Sequence, residues 1–380
     1  MWPDRRLIDL FKIEHPLVLA PMAGFGTVEL AASVCNAGGL GSIGCAMMKP
    51  EVAARTIQEL RRATTKPINV NFFCHVQAGT DAFRELAWHE RLKPYRRELG
   101  IDEGPQHRLD IAPFGDAMCT VVERAKPEIV SFHFGLPKPP LLDRVKAAGC
   151  RVISSATTVA EACWLEAHGA DAIIAQGCEA GGHRGMFLAR DLDEAAASQP
   201  STLTLVPQVV DAVRVPVIAA GGIADGRGIA AAFALAAAGI QLGTVFLLCP
   251  EAATPTLYRE ALRGARDDAT VLTNVFTGRP ARALVNRLAR ELSPNLDTLP
   301  EFPLPLGELA LLREKAEREG STDFTPLWSG QAAALANELP AGELTIKLAN
   351  EGIKRLRLID CLPVGAGQAQ SEHIMSSTPP

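Results

Sequence analysis

The sequence predicts an α/β protein, a (β/α)₈ TIM barrel with a C-terminal helical subdomain. Eight short apolar segments alternate with helical segments along residues 1–277, and this alternation is typical of parallel strands joined by crossover helices. The apolar segments are continuous rather than alternating in polarity, as expected for strands covered on both faces. Eight such units favour a closed barrel over an open doubly wound sheet, which usually has fewer strands.

Each strand is predicted where a short apolar-rich run stands between turn-forming segments. The eight predicted strands are Leu17–Ala20, Leu40–Ile43, Ile68–Phe72, Ile129–His133, Arg151–Ser155, Asp171–Ala175, Val217–Ala220 and Gln241–Val245. The helices predicted between and after them are Val28–Asn36, Glu51–Arg62, Pro140–Ala148, Val159–Ala167, Leu205–Val213, Gly228–Ala237 and Thr256–Arg263.

After Thr277 the pattern changes, and we predict helices without further strands. They are Pro280–Leu292, Leu306–Arg318, Pro326–Glu338 and Glu343–Ile353. Residues 278–364 are therefore predicted to form a helical subdomain that packs over the active site. The excursion 74–113 after the third strand is long enough to predict a lid or binding element. The tail 365–380 has few large apolar groups and is predicted to be disordered.

The composition is that of a soluble globular protein, with 47% hydrophobic and 21% charged residues and no apolar run long enough to span a membrane. The N-terminus lacks the apolar core of a signal peptide, which predicts a cytoplasmic location. A formal net charge of −5 without a basic stripe gives no support for nucleic acid or a membrane as a partner. The nine cysteines lack the close pairs of a zinc site or disulfide framework, so we expect reduced thiols.

The loop after the sixth predicted strand carries the strongest functional signal. Residues 176–185 read QGCEAGGHRG. The four glycines leave the backbone free to approach a ligand, while Glu179, His183 and Arg184 supply charge and proton transfer. Barrel ligands bind at the carboxyl ends of the strands, where this loop stands. We predict that His183 is an acid–base or hydrogen-bonding group and that Arg184 points outward in a salt bridge.

Three other strand ends carry polar or glycine-containing sequences at the same edge of the barrel. They read APMAG at 20–24, NFF at 71–73 and SFHFG at 131–135. Histidine titrates at about pH 6.5 and can accept or donate a proton in cells. His133 is therefore a second candidate catalytic residue, although a buried structural histidine between two phenylalanines is an equally good interpretation.

The last two predicted strands end in glycines. AAGGI at 219–223 leads through Asp225–Gly228 into a helix, and QLGT occupies 241–244. Backbone N–H groups and the helix dipole favour an anion at such a place, so we predict a phosphate site there. By contrast, no third ligand completes a metal site with the histidines, no GxSxG or GxxxxGK motif is present, and no GxGxxG follows the first predicted strand. A Schiff-base aldolase is also disfavoured, because no predicted strand contains lysine.

Taken together, these motifs resemble the FMN-dependent nitronate monooxygenase family, formerly called 2-nitropropane dioxygenases. The resemblance covers nearly the whole chain and rests on APMAG, NFF, SFHFG, QGCEAGGHRG, AAGGIADGRG and QLGT. A similar glycine and histidine loop occurs in FMN-dependent enoyl-carrier-protein reductases and NADH:quinone reductases. The resemblance implies that residues 1–277 form an FMN-binding barrel.

The resemblance also implies roles for individual residues. Pro21, Met22 and Ala23 would pass beside the flavin ring, and Asn71 and Gln176 would hydrogen-bond it. His183 would be the base or hydrogen-bonding group next to the nitro group, with His133 as a second polar contact. Trp328 and Ser329, in FTPLWSGQ, would close the substrate pocket, unless Trp328 is a core residue. The residues that would hold the ribityl chain and phosphate are Gly181, Gly182, Gly221, Gly222, Gln241, Leu242, Gly243 and Thr244.

The implied activity is oxidation of alkyl nitronates, with neutral nitroalkanes as further candidates, by O₂ to a carbonyl compound and nitrite. The partners would be the small nitronate and O₂, in a monomer or homodimer. An NAD(P)H-dependent flavin reductase acting on a quinone or enoyl thioester remains the alternative on the same scaffold. In either case the flavin carries the redox chemistry and the protein supplies binding, orientation and electrostatics.

Overall fold

The computed structural model describes residues 1–79, 81–101, 109, 111–189, 191–292 and 299–360. Its strands are β1 (Leu17–Leu19), β2 (Gly41–Gly44), β3 (Ile68–Phe73), β4 (Ile129–His133), β5 (Arg151–Ala156), β6 (Ala172–Gln176), β7 (Gly182–His183), β8 (Val217–Ala220), β9 (Gly239–Leu242), β10 (Thr270–Thr273) and β11 (Ala281–Leu284). Eight of them form one parallel sheet in the order β1-β9-β8-β6-β5-β4-β3-β2.

This sheet closes into a barrel between its first and last strands. Val18 of β1 and Leu40, just before β2, form a parallel bridge. The Leu19 N–H donates to the Leu40 carbonyl at 2.9 Å, and the Leu40 N–H donates to Leu17 at 2.8 Å. With helices between the strands, the architecture is a TIM barrel, so the predicted fold class is confirmed.

The helices are α1 (Arg6–Phe11), α2 (Val28–Asn36), α3 (Pro50–Ala63), α4 (Ala82–Glu98), α5 (Asp116–Ala125), α6 (Pro139–Ala147), α7 (Val159–Ala167), α8 (Leu192–Ala197), α9 (Thr202–Ala212), α10 (Gly226–Ala234), α11 (Thr256–Arg263), α12 (Arg287–Leu292), α13 (Pro305–Arg318) and α14 (Ala341–Asp360). Local sequence explains several of their starts. The side chains of Thr27, Thr158, Ser201 and Asp225 accept N–H groups of the first turn of α2, α7, α9 and α10, as N-caps do.

Three sequence predictions are wrong in the second half of the chain. The helix predicted at Pro280–Leu292 is strand β11 followed by the shorter α12, because 281–284 pair with β7 and β10. Only a 3₁₀ turn at Ala333–Leu335 is helical within the helix predicted at 326–338. The strand predicted at Gln241–Val245 lies two residues too late, since β9 ends at Leu242 and a 3₁₀ helix begins at Thr244.

The excursion after β3 and the segment after β9 share a second hydrophobic core. Trp88, Leu92 and Tyr95 of α4 pack with Phe276, Leu288, Leu309, Leu312 and Phe324. Polar contacts join the same elements, since Tyr95 donates to Glu291 at 2.8 Å and Arg96 of α4 forms a buried ion pair with Glu308 of α13. The predicted lid segment 74–113 thus contains a helix anchored on the C-terminal part of the chain; its residues 80, 102–108 and 110 lie outside the described residues.

Residues 278–360 do not all occupy one place. β11 pairs antiparallel with β7, so His183 lies opposite Ala281, and the segment up to Trp328 meets the carboxyl ends of the barrel strands. Helix α14 packs instead on the outer helical layer, where Leu344, Leu348 and Ala349 belong to the main core and Gly352 lies close to Ile229 of α10. The helical subdomain remains a prediction as a unit, and the predicted disordered tail 365–380 lies outside the described residues.

Candidate active site

A cavity of about 600 Å³ lies at the carboxyl ends of the barrel strands. It is where a (β/α)₈ barrel holds its ligand, and the largest share of the residues singled out from the sequence meet there. The predicted site residues that line it are Pro21, Met22, Ala23, Asn71, His133, Gln176, Gly181, Gly182, His183, Gly221, Gly222, Gln241, Gly243, Thr244 and Trp328.

Two predicted site residues do not line this cavity. Leu242 is buried in the main core, and its carbonyl accepts the Ala20 N–H at 2.7 Å. Ser329 is fully buried, and its hydroxyl contacts the Gly330 carbonyl at 3.1 Å. Both side chains lie behind the cavity wall and do not face the cavity, so they do not make the predicted contacts with cofactor or substrate.

The loop 176–185 is held by hydrogen bonds to its own backbone. The Gln176 amide donates to the His183 carbonyl at 2.9 Å and accepts the Gly185 N–H at 2.8 Å. Arg184 is only 1% exposed and donates to the carbonyls of Gln176 and Gly177 and to Gln199 Oε1. The prediction of an outward, salt-bridged Arg184 is therefore wrong, because four acceptor contacts from neutral groups draw the guanidinium inward.

His183 stands at the centre of the cavity wall. Its Nε2 lies 3.0 Å from the Thr277 hydroxyl, while Nδ1 has no hydrogen-bond partner among the described residues. Aromatic rings surround the imidazole, the nearest being Trp328 and Phe302 at centroid distances of 5.2 and 5.3 Å. Burial, with nearby cationic side chains, lowers the pKa of His183 to about 3, so its ring is neutral throughout the physiological range.

His133 contacts the same loop but has both ring nitrogens engaged. Nε2 lies 3.1 Å from the His183 carbonyl and Nδ1 lies 3.1 Å from the Ser155 hydroxyl. Since a carbonyl only accepts, Nε2 carries the proton and Nδ1 accepts from Ser155. Burial lowers the pKa of His133 to about 4. This geometry makes His133 a group that positions the His183 backbone, and the ring has no free nitrogen for proton transfer.

Arg279 is a half-buried cation next to both histidines that sequence reasoning did not single out. Its guanidinium lies 4.1 Å from the centroid of the Phe134 ring and donates to the Met186 carbonyl. No carboxylate forms a salt bridge with it within the described ranges. Its charge lowers the pKa of both histidines. Nothing local in the sequence marks Arg279, because it reaches this place through the β10–β11 turn.

The glycines after β8 and β9 lie together as predicted, but the N–H groups at the start of helix α10 are not available to a ligand. Asp225 accepts the N–H groups of Arg227 and Gly228 at 2.8 and 3.3 Å, so its carboxylate occupies the position predicted for phosphate at the start of α10. Gly222, Gly243 and Thr244 line the cavity instead, beside Gly330, whose N–H donates to Thr244 Oγ1 at 2.9 Å. The glycines that line the cavity therefore lie at the strand ends and beside the 3₁₀ helix that follows β9.

Several groups in this wall suit a flat cofactor with polar edges and a phosphate. Gln241 Oε1 is buried without a partner, and Asn71, whose Nδ2 donates to Ser131, leaves Oδ1 without a partner among the described residues. The backbone at Gly181 also lies close to the backbone at Gly330, since a Cβ on Gly181 would be 2.5 Å from the Gly330 nitrogen. These features leave acceptors and space for a ligand that contacts backbone.

Other residues of the cavity wall were not singled out from the sequence. Thr277 and Phe302 line it, and so does Tyr258, whose hydroxyl donates to the Trp328 carbonyl at 2.5 Å. Trp328 packs on Phe276 and also faces the cavity, so it is both a core residue and a residue of the cavity wall. In the described part of the chain, no group of three His, Cys, Asp or Glu side chains could hold a metal ion, and no helix there is long and apolar enough to cross a membrane.

Comparison with known proteins gives a family, a curated relative and two similar solved structures. The family model described as nitronate monooxygenase matches residues 4–351. Nitronate monooxygenase of Pseudomonas aeruginosa is 43% identical over 349 residues, which cover 91% of this chain and 98% of the relative. Among solved structures, nitroalkane oxidase from Streptomyces ansochromogenes has a TM-score of 0.85 at 36% identity, covering 93% and 99%. FabK from Thermotoga maritima has a TM-score of 0.70 at 31% identity, covering 95% and 99%.

Proposed function

Since the chain belongs to the nitronate monooxygenase family, we propose that it uses FMN and O₂ to oxidise alkyl nitronates to a carbonyl compound and nitrite. The observation that carries the proposal is the position of His183. A neutral imidazole, with one nitrogen that has no partner among the described residues, lies in the wall of the same cavity as the glycine cradle for an anion. A small anionic substrate would meet this nitrogen at one end of the cavity while a phosphorylated cofactor occupies the other.

FMN fits the wall residue by residue. Gly222, Gly243 and Thr244 would hold the phosphate, and Pro21 to Ala23 would lie along the flat ring. The acceptors Asn71 Oδ1 and Gln241 Oε1 would take polar hydrogens of the ring and ribityl chain. When bound, FMN supplies the electron acceptor that the protein's own side chains lack.

The side chains have separate tasks. His183 provides a hydrogen-bonding nitrogen for the substrate, His133 and Gln176 fix the loop through the His183 carbonyl, and Phe73, Phe302 and Trp328 exclude water around the imidazole. Arg279 stabilises negative charge in the cavity from behind Phe134. A preorganised, water-poor wall of this kind stabilises charge more effectively than bulk solvent does.

Oxygen consumption by the yellow, flavin-loaded protein tests the proposal. Propyl-2-nitronate should drive rapid uptake with release of nitrite, and His183→Asn should lower kcat/KM by roughly 100-fold, the usual scale for an acid–base or hydrogen-bonding group. His168→Asn is the matched control, because His168 is exposed and bonds only the Trp164 carbonyl of its own helix. A colourless protein that takes up no FMN, or unchanged turnover in His183→Asn, would contradict the assignment.

A second candidate is an NAD(P)H-dependent flavin reductase acting on a quinone or enoyl thioester. The likeness to FabK over 95% of the chain favours it, as does a cavity extending beyond the glycine cradle to Arg313 and Thr322. Anaerobic mixing with NADH and NADPH separates the two candidates. Bleaching of the flavin by a nicotinamide, without turnover of nitronate, would transfer the assignment to the reductase.

A further inference from the structure

Thr277 is the hydrogen-bond partner that the structure gives to the ring of His183. Its hydroxyl oxygen lies 3.0 Å from His183 Nε2, 3.3 Å from the Arg279 carbonyl and 3.4 Å from the Arg279 nitrogen. The residue is 1% exposed, so water does not replace these partners. The imidazole and the hydroxyl therefore have to share their protons between themselves and the backbone of Arg279.

The number of protons restricts the arrangement. The hydroxyl has one proton, and the neutral imidazole has one on either Nδ1 or Nε2. The Arg279 N–H can only donate, so Thr277 Oγ1 accepts from it and directs its own proton to either His183 or the Arg279 carbonyl. The contact with His183 is 0.3 Å shorter than the contact with the carbonyl. At 3.0 Å, the contact with His183 is close to the usual length of a hydrogen bond.

We propose that Thr277 is a positioning residue that fixes the tautomer of His183. Its hydroxyl donates to Nε2, so the ring proton resides on Nδ1, the nitrogen without a partner in the described part of the chain. A chain of donors then runs from the Arg279 N–H through the Thr277 hydroxyl and the imidazole into the cavity. His183 thereby presents a neutral N–H to the substrate while keeping its ring uncharged.

A donor at Nδ1 suits a nitronate, and this step rests on the proposed function. The nitronate oxygens carry negative charge, and hydrogen bonds from a neutral donor to a charged group are among the stronger ones. The opposite tautomer would direct the Nδ1 lone pair at the anion and repel it. The burial that keeps the ring neutral means that a fixed tautomer, rather than protonation, has to supply the donor.

Nitrogen NMR of protein labelled with ¹⁵N in its histidine rings tests the tautomer directly. Protonated and unprotonated ring nitrogens have well-separated shifts, and the His183→Asn variant assigns the signals. The wild-type FMN-loaded protein should show His183 protonated at Nδ1. Thr277→Val should lose this signature, and Thr277→Ser should retain it. Protonation of His183 at Nε2 in the wild type, or an unchanged tautomer in Thr277→Val, would overturn the proposal.

Steady-state kinetics with propyl-2-nitronate gives a second measurement. Loss of a donor to a charged ligand predicts a KM about 10- to 100-fold higher in Thr277→Val, with a smaller effect on kcat and rescue in Thr277→Ser. Thr120→Val is the matched control, because Thr120 on α5 bonds only its own helix and Arg144. An equal KM in Thr277→Val and wild type contradicts the inference. Absence of nitronate turnover in the wild type refutes the proposed function instead, and the NMR result still decides the tautomer.

Discussion

Two adjacent glycines in the loop after β6 allow a clash and a backbone strain to be measured separately. A Cβ on Gly181 would lie 2.5 Å from the Gly330 nitrogen and 2.6 Å from the Ser329 carbonyl carbon, and its own φ is outside the left-handed region. Gly182 has φ of +74°, and a Cβ there would meet nothing within 4 Å. Gly181→Ala therefore adds a clash without strain, whereas Gly182→Ala adds strain without a clash.

The magnitudes follow from these contacts. Inserting a methyl against fixed backbone costs about 1–3 kcal/mol. In Gly181→Ala the segment 329–330 can retreat while the cavity is empty, but this breaks the 2.9 Å bond from Gly330 to Thr244 Oγ1 beside the phosphate position. Binding FMN has to restore that bond, so the cost appears as a dissociation constant about 5- to 150-fold higher. In Gly182→Ala the left-handed conformation costs roughly 1–2 kcal/mol with or without ligand, so Tm falls and FMN affinity falls less than in Gly181→Ala.

Titration of the flavin-free proteins with FMN, followed by quenching of flavin fluorescence, measures the first effect, and thermal unfolding without FMN measures the second. Gly264→Ala is the control, because its φ is −83° and the nearest atom to a Cβ would be 3.6 Å away. Equal FMN affinity in Gly181→Ala and wild type would refute the reasoning. So would a larger loss of affinity in Gly182→Ala than in Gly181→Ala.

Three further predictions concern buried charge. The folded pKa of His183 is about 3, below its ordinary 6.5, so its contribution to stability is complete above pH 6.5 and is lost as pH falls toward 3. In urea unfolding, the free energy of unfolding should therefore fall between pH 7 and 5, and this fall should be about 2 kcal/mol smaller in His183→Asn than in wild type. Arg184→Met should destabilise the fold by roughly 3 kcal/mol in the same assay, since it strips the donors from three carbonyl or amide oxygens, whereas exposed Arg266→Met should leave it unchanged. Arg279→Met should raise the pKa of His183 and His133 in an NMR titration, and unmoved values would show that its charge does not reach them.

The barrel could be predicted because its strands are local signals. β4 and β8 match their predicted bounds, as do α2, α7 and α11, since a continuous apolar run buried on both faces leaves few alternatives. β7 could not be predicted, because it consists of Gly182 and His183 alone and exists only through pairing with β11. The same pairing overrides the helix propensity of ARAL at 281–284. Long-range pairing of this kind has no period that a single segment reveals.

The candidate site divides in the same way. The glycines and His183 were recognisable because each stands next to a predicted strand end, where a barrel concentrates its chemistry. Thr277 and Arg279 were not, because a turn between two short strands brings Thr277 to the cavity and Arg279 close to the two histidines from almost a hundred residues away. Arg184 was placed on the wrong side because a charged residue usually faces water. The sequence does not reveal that oxygens of Gln176, Gly177 and Gln199 all accept hydrogen bonds from the Arg184 guanidinium.

Two arginines behind the cavity wall affect which ligands the cavity can take. Arg184 is buried and Arg279 is half-buried, and neither forms a salt bridge with a carboxylate in the described parts of the chain. Burial lowers the pKa of each to about 10. Neutral carbonyls and an aromatic face solvate these cations but do not cancel their charge. Neither arginine lines the cavity, whereas the carboxylate residues Glu179 and Glu317 do, so the two cations act on the wall from behind. Because the charge of Arg279 acts on His183, a nitronate bound beside His183 would be attracted to it. Anionic ligands should therefore stabilise the folded protein more than neutral analogues of the same shape.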